Sequence, residues 1–169
     1  MAVDMFLKIQ GIDGESTDDK HKNEIDVLSF SWGISNTSKQ SAPGRLSPAR
    51  KASLTDFSIV KKVDKASPEL FVSSCEGAHF PEVSFTARKA GGQQQDYYKV
   101  TLKEVFISSV APGGSVGSSQ DAFEQVSFAF ASAEISAAGP DGQFNSRAVC
   151  GGSLAEEPPP VIIESVKKD

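Results

Sequence analysis

Glu24-Ile25-Asp26-Val27-Leu28-Ser29-Phe30-Ser31-Trp32-Gly33 is the stretch whose reading decides the fold. As one extended strand it puts Leu28, Phe30 and Trp32 on one side, and Ile25, Val27, Ser29 and Ser31 on the other, because side chains alternate along a strand. Beyond Asp26 neither side carries a charge. A strand with a large aromatic face and a small, mildly polar face lines a core on one side and meets a different surface on the other. The expectation is that Leu28, Phe30 and Trp32 pack inward while Ser29 and Ser31 face that second surface.

The same contrast returns between Phe123 and Ile135. Val126, Phe128 and Phe130 occupy one face, and Ser127, Ala129, Ala131, Ala133 and Ile135 the other. Large residues against small ones let one face fill a core and the other approach something closely. Further strand-like runs lie at Met5 to Ile9, Leu54 to Val63, Glu82 to Arg88 and Tyr97 to Val110, separated by Gly, Pro, Ser and Asp. That spacing suggests an antiparallel barrel or sandwich rather than βαβ units. One segment breaks the pattern: Ser67-Pro68-Glu69-Leu70-Phe71-Val72 reads as a short helix over about 67–76, with Ser67 as N-cap, Pro68 at the first turn and Gly77 as the stop.

With 169 residues the chain suits one domain, burying roughly 70% of its unfolded surface. Most of its eleven phenylalanines sit in alternating segments, which makes them core candidates. A formal charge of −5 argues against nucleic-acid binding, which needs clustered positive charge. The charges are nevertheless segregated. Asp13, Glu15, Asp18, Asp19, Glu24 and Asp26 crowd the segment 13–26, whereas Lys39, Arg45, Arg50 and Lys51 fall in 39–51 with no acid among them. Residues 34–53 read as a long Ser-rich loop, a type of segment that is commonly functional. The end, with Pro158-Pro159-Pro160 before Val161-Ile162-Ile163, reads as a divergent tail or edge strand over 151–169, beyond a β domain over 1–150.

Two blocks join the opening stretch in resembling a known family. The first is Met1 to Ile9 with Gly14-Glu15-Ser16; the second comprises Gly77-Ala78-His79-Phe80-Pro81-Glu82-Val83, Ala87-Arg88-Lys89-Ala90-Gly91-Gly92 and Val105-Phe106-Ile107-Ser108-Ser109. Together they resemble Hcp, the haemolysin-coregulated tube protein of bacterial type VI secretion, in order and rough spacing over residues 1 to 135. The resemblance implies a mainly β fold, an antiparallel β-barrel of two packed sheets with one short α-helix, where periodicity alone leaves barrel and sandwich open. It implies a homo-hexameric ring, rings stacked into a tube that is expelled, and partners in a tip spike protein, a sheath and baseplate proteins. Small effector cargo would ride in the lumen, with Ser29 and Ser31 facing it. Lys39, Arg45, Arg50 and Lys51 on one side, and Asp13, Glu15, Asp18 and Asp19 on the other, are candidates for contacts between subunits or rings. The Gly-Trp-Asp strand that commonly closes family members is missing, since Trp32 is the only tryptophan.

No catalytic or cofactor pattern emerges. Gly113-Gly114-Ser115-Val116-Gly117 matches the nucleophile elbow formally, yet both histidines, His21 and His79, lie upstream and no apolar helix follows, so a hairpin loop is the expectation. His79 is expected to meet carbonyls at the helix end. Cys75 and Cys150 form neither a disulfide framework nor a metal spacing. The N-terminus lacks the features of a signal peptide and no apolar run approaches about 18 residues, so the chain is expected to be made in the cytoplasm, without membrane insertion, and exported by a dedicated machine. The competing reading is a solitary β-sandwich module that binds carbohydrate or protein through Tyr97 and Tyr98.

Overall fold

In the computed structural model, residues 3–36, 39–42, 45–47, 52–91, 94–114, 121–152 and 162–165 are described. Among the described residues, thirteen strands and one helix follow in order: β1 (Val3–Ile9), β2 (Ile25–Asp26), β3 (Ser29–Ser31), β4 (Ile34–Asn36), β5 (Lys39–Ala42), β6 (Arg45–Ser47), β7 (Ala52–Leu54), β8 (Phe57–Lys62), α1 (Ser67–Glu76), β9 (His79–Lys89), β10 (Gln95–Gly113), β11 (Phe123–Ala137), β12 (Ser146–Gly151) and β13 (Ile162–Ser165). Every pairing is antiparallel.

The main sheet runs β2-β1-β9-β10-β11 and forks at β11, whose first half pairs with β8 and whose second half pairs with β12. β8 in turn carries β3. Because β2 and β3 are consecutive pieces of one segment, the sheet curls back on itself and closes into a barrel. The seam lies at two adjacent amides. Val27 N–H donates to Met5 O at 2.9 Å, and Leu28 N–H donates to Val60 O at 2.8 Å, so neighbouring residues bond to opposite edges of the sheet.

That seam corrects the reading of the decisive stretch as one uninterrupted strand. The chain bends at Leu28 as it changes partners, and the alternation slips there: Ile25 and Val27 are buried before the bend, while Phe30 and Trp32 turn inward after it. Leu28, expected inside, is 45% exposed. Phe30 and Trp32 meet the core as expected. Phe30 packs on Phe85, Phe57 and Tyr98 with ring centroids 4.6, 6.0 and 5.9 Å away, and Trp32 packs edge-on against Phe57 and Phe130. A similar slip occurs in β10, where Val100 and Leu102 are buried, then Val105 and Ile107, on either side of Glu104 at φ 52°.

The helix spans Ser67–Glu76, and Gly77 closes it at φ 64°, a left-handed conformation that glycine adopts without a Cβ penalty. Its N-terminus differs from expectation. Ser67 does not cap; Asp64 Oδ1 accepts the Ala66 N–H at 2.9 Å, while the Ser67 hydroxyl is drawn into the barrel end to donate to Glu124 at 2.6 Å. Leu70 is buried, whereas Phe71 is 52% exposed and Cys75 is exposed.

The segment read as a loop over 34–53 is a β-hairpin arm in its described residues. β4 pairs with β7 and β5 with β6, and these pairs belong to no larger sheet. The arm's sequence, rich in Ser and carrying Lys and Gln, has no hydrophobic period to read, so the backbone ladder was invisible in it. Its base is clamped by Thr55 N–H to Gly33 O at 2.9 Å and by Gly33 N–H to Thr55 Oγ1 at 2.8 Å. At the other end of the chain, β13 pairs with β12 as the outermost strand.

Candidate functional site: serine band, arm and charged strap

Ser29 and Ser31 are exposed on the outer side of the barrel, opposite Phe30. The pairing register extends them into a band. Ser31 lies across from Ser58, Ser58 from Ser127, and Ser127 from Ser109, so four serines from β3, β8, β11 and β10 form one cross-strand row. Side chains directly opposite in an antiparallel pair share a face. Ser58 and Ser127 join through their hydroxyls at 2.8 Å. The parallel row, Ser29, Val60, Gln125 and Ala111, is also uncharged. Sequence reading found Ser29 and Ser31 but missed Ser58, Ser109 and Ser127, whose alignment depends on strand pairing that one sequence does not display.

The acidic segment divides: Asp18 and Glu15 are engaged within the chain, and Asp13 and Asp19 are exposed. Residues 12–24 form a strap across the outer side of β1 and β9, covering Phe6 and Arg88. Three backbone bonds close the strap on itself: Gly14 N–H to Asn23 O at 2.8 Å, Ser16 N–H to Glu24 O at 3.0 Å and Asn23 N–H to Ser16 O at 2.9 Å. Asp18 is engaged within the chain. Arg88, 1% exposed, donates from Nη1 to Asp18 Oδ1 at 2.9 Å and from Nη2 to Oδ2, and lies over the Phe6 ring at 5.1 Å. Those hydrogen bonds hold the Asp18 carboxyl well below the usual carboxylate range, although burial pulls the other way. Glu15 accepts the Lys65 N–H at 2.9 Å, tying the strap to the turn before α1, whereas Asp13 and Asp19 are exposed.

Of the basic set, Lys39 and Arg45 stand on the arm strands β5 and β6, and Arg50 and Lys51 lie outside the described residues. The strap is packed closely enough that Gly14 is required. A Cβ there would come within 2.3 Å of Glu24 O, a backbone atom. Gly14→Ala should therefore destabilise the fold by about 1–3 kcal/mol, read as a lower urea midpoint; an unchanged midpoint would contradict this packing.

The other singled-out residues find structural places. His79 pairs with Glu104 and leans on Phe106 rather than on helix carbonyls. Tyr98 stacks with Phe30 and Phe85 at the core, where burial pushes its phenol up, so it is no exposed platform; Tyr97, half-buried, carries Lys89 over its ring. Cys150 is half-buried, and burial raises its thiol. Gly113 pairs with Phe123, so β10 and β11 are joined as a hairpin across the formal elbow motif, whose Ser115 lies outside the described residues. Among the described residues no three His, Cys, Asp or Glu side chains converge as a metal site, and no helix is long and apolar enough to cross a membrane.

A sealed barrel with an uncharged outer band and an arm of its own is built as a structural component. The chain belongs to the Hcp family of type VI secretion proteins: the family model described as "Type VI secretion system effector, Hcp" matches residues 6–136. It is 43% identical over 136 residues to protein hcp1 of Pseudomonas aeruginosa, covering 80% of this chain and 83% of that protein. Solved structures agree. Hcp1 from Salmonella typhimurium aligns at 36% identity and TM-score 0.73, over 89% of this chain and 94% of the other; Hcp2 from the same organism aligns at 33% and 0.67, over 91% and 99%.

Proposed function

We propose that this chain is the repeating tube subunit of a type VI secretion system: six copies form a ring, rings stack, and the tube is expelled with small effectors in its lumen. The observation that carries the reading is the arm. An isolated two-stranded hairpin is marginal in water, and the described strands of this one pair only with each other, so a neighbouring copy is its natural support. A ring closes only if each subunit offers two different, complementary patches, and the arm provides one that the barrel lacks. The serine band supplies an uncharged wall suited to a lumen, with Ser29 and Ser31 in it. The spike, sheath and baseplate proteins are the further partners that family membership supports, and export by that machine is the route it implies.

Lys39, Arg45, Arg50 and Lys51 on the arm segment would meet Asp13 and Asp19 of a neighbour; exposed pairs contribute about 0–1 kcal/mol each and so set register and salt sensitivity more than affinity. Gly33 and Thr55 are hydrogen-bonded at the arm's base, which gives a clean test. Excising residues 35–53 and joining the ends with two glycines should leave a folded barrel that forms no rings in electron micrographs, while the full chain shows six-lobed rings. Rings from the excised variant would remove the arm from the interface, and no rings from the full chain would overturn the tube reading. Ser31→Gln should keep both the unfolding midpoint and the ring but reduce export of lumen cargo; a lowered midpoint would contradict its outward position.

A further inference from the structure

Although His21 is only 8% exposed, it occupies the centre of the strap with its two nitrogens in unequal surroundings. Its ring stacks on Phe6 of β1 at 4.3 Å, nearly parallel. Nδ1 lies 2.8 Å from Glu24 Oε2, and a carboxylate can only accept, so in the neutral ring the proton sits on Nδ1. Nε2 then presents a bare lone pair. It has no hydrogen-bond partner, and the nearest carboxylate oxygen, Asp96 Oδ1 of β10, stands 3.7 Å away. Two acceptors face each other across that gap, an arrangement that a single added proton turns into an attraction.

We propose that His21 is a proton-operated latch: protonation at Nε2 gives Asp96 a donor and fastens the strap to β10, and loss of that proton loosens it. The proton comes from solvent and forms an N–H bond on the ring; no other bond changes. The groups nearest the ring are mostly anionic, the sign that attracts an added proton. Glu24 and Asp96 flank the two nitrogens, Asp18 accepts the His21 backbone N–H at 3.2 Å, and Asp4 lies 3.7 Å from Arg88 Nη2. Opposing it are Arg88, which Asp18 neutralises, and Lys99, which is bonded to the other oxygen of Asp96 at 3.2 Å. The latch concerns the single subunit and does not depend on the tube reading.

The sign follows from the partners gained on folding. The added proton creates a donor that the neutral ring lacks at Nε2, so the strap is held more firmly where the ring carries that proton and less firmly where solvent has removed it. Hydrogen exchange of the full chain at about pH 5.5 and about pH 7.5, corrected for intrinsic rates, reads this directly at the Gly14, Ser16 and Asn23 amides. These should be better protected at the lower pH in the wild type, with the β9 amides unchanged, and the difference should shrink in Asp96→Ala, which leaves no acceptor opposite Nε2. Equal protection at both pH values, or a pH effect that is undiminished in Asp96→Ala, would overturn the latch.

Discussion

Replacing Lys61 with methionine should lower stability by about 3–5 kcal/mol, the loss expected when one member of a buried ion pair is removed and the other is left uncompensated. Lys61 is 0% exposed and points into the barrel end from β8, directly across from Glu124 of β11, which is buried too. Its ammonium donates to Glu124 Oε1 and Asp64 Oδ1, both at 2.7 Å, and to Lys62 O at 2.8 Å, while Ser67 of α1 donates to the same Glu124 oxygen. The network therefore joins helix to barrel. Removing the ammonium strands the buried Glu124 carboxylate; removing Glu124 as well leaves only Asp64, which still accepts the Ala66 N–H. The double variant Lys61→Met/Glu124→Met should recover much of the loss, and urea unfolding of the two singles and the double measures the coupling. Additive losses would show that the two charges do not depend on each other.

Arg88→Met should cost about 3 kcal/mol, because it removes the strap's strongest attachment along with the stacking on Phe6. The effect carries a pH signature. Asp18 has a depressed folded-state value, so the stability it contributes is fully present above its unfolded value of about 3.9 and is lost as pH falls toward the folded one. The stability difference between wild type and Arg88→Met should thus be constant above about pH 5 and shrink below about pH 4. Chemical unfolding across that range tests it. A gap that stays constant into acid would mean that Asp18 is not the partner that matters.

Both networks leave traces in the sequence, and their legibility differs. Alternation in Leu54 to Val63 and Phe123 to Ile135 located strands β8 and β11 and their inward phenylalanines. The same alternation places Lys61 and Glu124 at inward positions, a break in pattern that signals a buried pair but not which strands meet. The strap was legible only as acidic composition. Composition cannot distinguish Asp13, which is exposed, from Asp18, which is drawn onto Arg88 some 70 positions later in the chain. Leu28 was misplaced for a related reason: the bend that moves it outward comes from switching hydrogen-bond partners between β1 and β8, a tertiary event with no local marker. The arm was read as loop because a ladder of polar residues has no hydrophobic period. Ser29 and Ser31 were found from alternation alone, whereas the row they begin needed the register of four strands.

Native mass spectrometry of the intact chain at moderate salt tests the central claim most directly. A dominant species at six times the 17.9 kDa chain mass is the expected result. A monomer that persists as concentration is raised would contradict the ring and leave the barrel and its arm without the partner proposed for them.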